Sequence, residues 1–209
     1  MRIAIIDCGA GNLHSVRKAF ASQLPTGATL DITTDAATLD AATHIVLPGV
    51  GAFADCMAGL NGLPGMRAAL TTAVLQQKKP FLGICVGMQM LFERGHEHGT
   101  HEGLGWFAGE VEKIAPADAT LKIPHMGWNR LHVRQKNHPA LNGIHTGDFV
   151  YFVHSYAALR TRAEEVLATT DYGGDIVAMI GRENIVATQF HPEKSQEIGL
   201  RMIQNFIGM

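Results

Sequence analysis

The sequence predicts one α/β domain spanning residues 1–209, with a central mixed, mostly parallel sheet flanked by helices and a C-terminal antiparallel portion. Apolar runs of strand length alternate with amphipathic segments through the first ninety-odd residues, the rhythm of βαβ crossovers. From Gly109 onward closely spaced segments rich in β-formers replace that rhythm, as hairpins would. Composition agrees. With 46% apolar and 17% charged residues, a chain of 209 residues buries about 70% of its extended-chain surface and needs no metal or disulfide to hold a core. No internal repeat, linker or low-complexity tract divides it.

Arg2 to Asp7 reads as a buried strand ending in an acid and the Gly9-Ala10-Gly11 turn. From Asn12, a candidate N-cap, Leu13, Val16, Phe20 and Leu24 recur at helical spacing until Pro25 and Gly27 stop the pattern. Thr29 to Thr33 alternates as a strand, and His44 to Leu47 is a third apolar run closed by Pro48-Gly49-Val50-Gly51. Met66 to Gln77 has helical spacing, Phe81 to Ile84 is another buried strand, and Val86 to Glu93 is again helical. The second half offers strands at Glu110 to Ile114, Leu131 to Val133, Phe149 to Tyr156 and Val166 to Thr170. A pair at Ile176 to Ile180 and Ile185 to Phe190 flanks a turn over Gly181 to Asn184. Ser195 then caps a last helix, with Ile198, Met202, Ile203 and Phe206 on one face.

Seventeen Lys and Arg against nineteen Asp and Glu leave a net charge of −2 with no long run of one sign, which argues against nucleic-acid and membrane partners. The longest apolar stretches fall short of the ~18 residues of a membrane span. The start runs into Asp7 rather than a cleavage pattern, so a cytoplasmic chain is expected. Cys8, Cys56 and Cys85 form an odd set without short pairing, consistent with a reducing compartment and at most one working thiol.

That thiol is Cys85. In Gly83-Ile84-Cys85-Val86-Gly87 it falls on the turn between a strand and a helix with glycine two residues away on either side, the thiol counterpart of a nucleophile elbow. Such a turn exposes the sulfur, aims a helix N-terminus at it so that the thiolate is favoured, and leaves the Val86 amide to bond an oxyanion. A small buried residue at the sheet edge is the competing reading.

A thiol nucleophile needs a base, and the base an orienting group. Of eleven histidines, His96, His98 and His101 sit in a glycine-rich loop where solvation is a better account than metal binding, and no metal or organic cofactor is expected. His191 follows a strand and precedes Pro192 and Glu193; an i, i+2 pair in an extended segment turns imidazole and carboxylate to one side. A surface His beside a surface Glu is the competing reading. Pro48 to Gly51 is another strand-to-loop junction whose glycines free amides for an oxyanion. It lacks the Gly-Lys-Ser/Thr of a phosphate loop, and Cys8 to Gly11 lacks the third glycine of a dinucleotide site.

In this order and spacing the three pieces resemble the class I glutamine amidotransferases over essentially the whole chain. The resemblance implies that fold, with Cys85 attacking the side-chain amide of L-glutamine, His191 shuttling the proton and Glu193 orienting it. It places Val50, Gly51 and Val86 at the oxyanion, and Gly49, Gln89, Ser155 and Tyr156 at the glutamine. Asp7 to Leu13, Pro124 to Asn129, Tyr151 to Tyr156 and His191 to Ser195 resemble more narrowly the glutaminase branch that pairs one-to-one with a HisF-type cyclase in imidazole glycerol phosphate synthases of histidine biosynthesis. That branch implies a heterodimer in which Asn12, Trp128, Tyr151 and Lys194 face the cyclase and ammonia passes between subunits. Cys8, where tyrosine is common, is left as packing, and Val86 replaces the commoner leucine.

Overall fold

The computed structural model describes residues 1–9 and 12–209; the expected turn at Ala10 and Gly11 lies outside the described residues. The first half runs β1 (Arg2–Ile6), α1 (Leu13–Ala21), β2 (Thr29–Thr33), α2 (Thr38–Ala41), β3 (His44–Gly49), α3 (Phe53–Gly62), α4 (Met66–Thr71), β4 (Phe81–Cys85) and α5 (Val86–Gln89). Then come β5 (Phe92–Gly95), β6 (His101–Glu102), β7 (Phe107–Lys113), β8 (His125–Arg130), β9 (His132–Val133), β10 (Phe149–His154) and β11 (Tyr156–Leu159). The chain closes with β12 (Val166–Asp171), β13 (Asp175–Arg182), β14 (Ile185–Thr188) and α6 (Gln196–Ile207).

Among the described residues the main sheet has the order β2-β1-β3-β4-β14-β13-β12-β9. Its pairings from β2 through β14 are parallel and those from β14 to β9 antiparallel. This is the mixed sheet expected, begun by crossovers and finished by hairpins. β3, β4 and β14 are buried along their whole length, as central strands covered on both faces must be. β2 is largely exposed because it is the edge.

Two smaller sheets, β10-β8 and β11-β7-β5-β6, were not expected. The stretch read as one strand over Phe149 to Tyr156 breaks at Ser155: β10 pairs with β8, β11 with β7. The helix expected over Val86 to Glu93 ends at Gln89, because Phe92, fully buried, enters β5 opposite Phe107. Strand pairing and burial there override helical spacing. α3 carried no periodicity strong enough to be noticed. Met66 to Gln77 is helical as expected but finishes as a π-turn over Thr72–Gln76.

Both expected side-chain caps fail. Asn12 has φ 94 and makes no capping bond, and Ser195 makes none either. Their polar groups are engaged elsewhere, at the site described next.

Eight of the nine phenylalanines are fully buried; the ninth, Phe149 on β10, is 46% exposed. Met126 and Trp128 on β8, at 65% and 45%, share its outward face. No helix among the described residues is long and apolar enough to cross a membrane.

Candidate active site

Register brings the site together. In the parallel ladders Gly49 lies opposite Cys85 and Thr188 opposite Ile84, so the chains leaving β3, β4 and β14 emerge side by side at the C-terminal edge of the sheet. Ligands bind at such edges in α/β proteins. Cys85 sits there with φ 54 and ψ −111, a conformation a residue with a Cβ adopts only when its surroundings enforce it. Enforcement comes from backbone packed on backbone: a Cβ on Gly87 would stand 1.9 Å from the Leu47 carbonyl oxygen, and one on Gly83 2.8 Å from that of Gly87. Gly49 has the same role from below, since its Cβ would meet the Gly87 nitrogen at 2.8 Å. It supports the elbow instead of lining the cavity above it.

His191 follows β14 by three residues. Its Nδ1 lies 2.8 Å from Glu193 Oε1, with both side chains almost wholly buried. Its backbone is pinned twice. The amide donates to the Tyr151 carbonyl at 3.0 Å, and the Ser195 hydroxyl donates to the His191 carbonyl at 2.7 Å while accepting from the Tyr151 amide at 2.9 Å. Ser195 therefore locks the His191-bearing turn to β10 instead of capping α6. Asn12 Nδ2 donates to Glu193 Oε1 at 3.4 Å, and the left-handed backbone of Asn12 is outside the extended conformation a capping residue uses.

The buried His191 Nε2 has no partner at hydrogen-bonding geometry, yet Cys85 lies near enough to act on the ring. Burial by itself would lower the imidazole pKa; hydrogen bonding and charge from Cys85 and Glu193 outweigh it and raise it to about 9. An imidazolium at neutral pH beside a thiol is the partner a thiolate needs. With α5 only four residues long, its dipole is weaker than the expected helix would supply, and the electrostatic support comes chiefly from His191.

Cys85 and His191 open into a cavity of about 550 Å³. Val50, Gly51, Val86, Gln89, Ser155 and Tyr156, which the resemblance placed at the oxyanion and the glutamine, line it, and so do Asn12 and Lys194, which it placed at a partner face. Val86 opens α5, so its N–H has no acceptor inside that helix. Gly51 has φ 98, and the Val50 carbonyl accepts from the Cys56 thiol at 3.5 Å. Gln89 Nε2 is already committed to the Tyr156 carbonyl and to Gln189 Oε1, both at 3.0 Å, so its N–H groups hold protein.

Two residues were missed. Glu97 lines the cavity, with one oxygen accepting from the Phe53 amide at the start of α3 at 2.9 Å; a carboxylate here suits a substrate ammonium, and its place between histidines in a glycine-rich loop hid it. Gln189 is fully buried and donates to the Cys85 sulfur at 3.7 Å. Its only sequence signal was its position two residues before His191.

Trp128 and Tyr151 lie opposite each other on β8 and β10, rings 6.0 Å apart, and Lys194 Nζ is 5.9 Å above the Tyr151 ring. An aromatic row thus joins the cavity rim to the exposed Met126–Trp128–Phe149 face. Elsewhere, His96 bonds Glu110 at 2.9 Å and Thr100 at 3.2 Å. Cys8 is buried with its thiol 3.8 Å from the Pro48 carbonyl.

Residues 4–209 match the family Glutamine amidotransferase class-I. The imidazole glycerol phosphate synthase subunit HisH of Brucella abortus (strain 2308) is 55% identical over 213 residues, covering 99% of this chain and 98% of that protein. The subunit of the same name from Rhodospirillum rubrum is 53% identical over 210 residues with the same coverage. Among solved structures, a glutamine amidotransferase superposes with a TM-score of 0.73 at 17% identity over 99% of both chains. The Trypanosoma brucei CTPS glutaminase domain with bound acivicin superposes at 0.66 and 17%, over 100% of this chain and 92% of that one.

Proposed function

Because the chain belongs to the class I glutamine amidotransferases, we infer that it is the glutaminase subunit of an imidazole glycerol phosphate synthase, hydrolysing L-glutamine to glutamate and ammonia for histidine biosynthesis. The strained turn that presents Cys85 beside the His191–Glu193 pair carries the mechanism.

Sγ of Cys85, as thiolate, attacks the side-chain carbonyl of glutamine. The developing oxyanion is received by the Val86 amide, on the elbow held by the packed glycines, and by amides of the Val50–Gly51 loop. His191 Nε2 gives its proton to the departing nitrogen, and ammonia leaves a thioester. Water then adds to the thioester while His191 takes the proton back, and glutamate is released. Glu193 holds the ring so that Nε2 faces the sulfur. Ser155 and Tyr156 line the glutamine, and Glu97 receives its ammonium.

Free ammonia in neutral water is mostly protonated and no longer a nucleophile, so delivery inside an assembly follows from the chemistry. The face bearing Met126, Trp128, Tyr151 and Phe149, continuous with the cavity through Tyr151 and Lys194, suits a one-to-one cyclase partner of the HisF type. The workplace of such a pair is the cytoplasm.

The test is glutamate release by wild type and by Cys85→Ala, each with and without the cyclase and its ligand. Wild type should turn over glutamine, faster with the loaded partner, and Cys85→Ala should be lower by a factor of at least about 10³. Hydrolysis by Cys85→Ala at the wild-type rate overturns the mechanism. No change in wild-type turnover on adding the loaded cyclase removes the assigned partner.

A further inference from the structure

We propose that Gln189 is a further catalytic residue: its side-chain N–H bonds the Cys85 sulfur, stabilising the thiolate before attack and receiving charge again when the thioester breaks. The inference rests on Cys85 being the nucleophile.

The orientation of both buried amides follows from their partners. The Tyr156 carbonyl only accepts, so the end of Gln89 facing it at 3.0 Å is its NH₂. The same nitrogen lies 3.0 Å from the Gln189 side chain, so the Gln189 end facing it is its oxygen. What remains toward Cys85 is the Gln189 NH₂, 3.7 Å from Sγ. Among the described residues that sulfur is the acceptor Gln189 Nε2 reaches. Gln189 is fully buried and Gln89 2% exposed, so water does not compete. The Gln189 amide is itself fixed by a backbone bond to the Ala178 carbonyl at 2.9 Å. A chain Tyr156–Gln89–Gln189–Cys85 thus delivers a donor to the sulfur from inside the sheet, while His191 works at the cavity.

The chemistry uses this donor twice. It favours the charged sulfur at rest. Later, water adds to the thioester carbonyl and gives a proton to His191; the adduct collapses to glutamate, the C–S bond breaks, and its electron pair returns to Sγ, where the Gln189 N–H meets it. Gln89 acts through Gln189 and is a positioning residue.

The test measures the pH dependence of Cys85 alkylation by iodoacetamide, followed on the Cys85 peptide by mass spectrometry, in wild type, Gln189→Met and Gln189→Glu. Met keeps the volume and lacks the donor, so the midpoint should rise by about one pH unit, a tenfold loss of thiolate below it. Glu faces the sulfur with a carboxylate, and its midpoint should rise further. Glutaminase kcat at pH 7 should fall in the same order. Folded variants with the wild-type midpoint overturn the proposal. In the unaltered protein, labelled with ¹⁵N at glutamine side chains, the Gln189 amide resonance should titrate with the alkylation midpoint and stop doing so in Cys85→Ala; an amide that ignores that titration also overturns it. Activity retained by Cys85→Ala would instead refute the underlying mechanism.

Discussion

At His191 two opposing effects act on one ring. Burial disfavours the imidazolium, and the neighbouring Cys85 and Glu193 restore it with enough to spare that the pKa rises to about 9. A group raised in this way keeps its proton through neutrality and loses it only as pH climbs through 9. In the proposed mechanism the proton owed to departing ammonia is therefore present across the physiological range, and kcat/KM should stay level from pH 7 toward 9 and fall above it. Glu193→Gln removes the charge but keeps a polar group on Nδ1. Its alkaline limb should move down toward neutrality, and kcat should drop by about 10²–10⁴ as ring orientation and tautomer are loosened. A pH–rate profile of both proteins checks this, and an unmoved alkaline limb in Glu193→Gln argues that the carboxylate does not support the imidazolium. Cys85, His191 and Glu193 stood out in the sequence because each is chemically distinctive, Cys85 between glycines two residues away on either side and the other two flanking Pro192. Gln189 did not, because a buried amide is defined by its partners.

The elbow belongs to β3, β4 and α5 together. Gly87 fits only because its missing Cβ lets α5 lie on the Leu47 carbonyl. Gly87→Ala puts a methyl where no rotamer can move it aside, so β4 and α5 must separate from β3. The expected cost is about 2–3 kcal/mol, roughly 5–10 °C in Tm for a chain of this length. Glutaminase activity should fall by more than stability alone explains, because Cys85 turns with the elbow. Calorimetry and glutamate release on one preparation separate the two, and an unchanged Tm would show that the close packing is not needed. The motif G-x-C-x-G announced the turn. The length of α5 was unreadable, since Val86 to Glu93 is as helical in spacing as longer helices are, and β5 forms because β7 and β6 are there to pair with it. Ser195 fails as a cap for a related reason: local rules favour a cap, and tertiary contacts with His191 and Tyr151 claim its hydroxyl; Asn12 fails because its backbone is left-handed.

Across the whole molecule the small β10-β8 sheet presents two faces. Outward are Met126, Trp128 and Phe149; inward, His125 and His154 lie opposite each other, Nδ1 of one 2.9 Å from Nε2 of the other. The His154 Nδ1 bonds the Tyr156 carbonyl at 2.9 Å, and His125 stacks between Phe152 and Tyr172. Burial lowers both pKa values to about 4. An unfolded histidine takes a proton near 6.5, so between that pH and 4 the unfolded chain binds protons the native one refuses. The contribution of these two rings is therefore fully present above pH 6.5 and falls as acid is added, by about 1.4 kcal/mol per pH unit for each imidazole. Denaturation midpoints measured from pH 7.5 to 4.5 should show this decline, and His154→Gln should flatten it. A wild-type midpoint that does not move over that range would mean that these rings are already protonated or solvated when folded.

The amino-acid order by itself determined the α/β class, the switch from crossovers to hairpins, and the proposed nucleophile, base and orienter, because periodicity and short motifs are local properties carried by neighbouring residues. Only the tertiary structure decided which strands are neighbours: β14, a hundred residues after β4, slots in parallel beside it, and that register sets His191 beside Cys85 at one cavity and Gln189 behind the sulfur. Contacts between residues so far apart depend on which buried surfaces fit, and fit is a property of the packed chain as a whole.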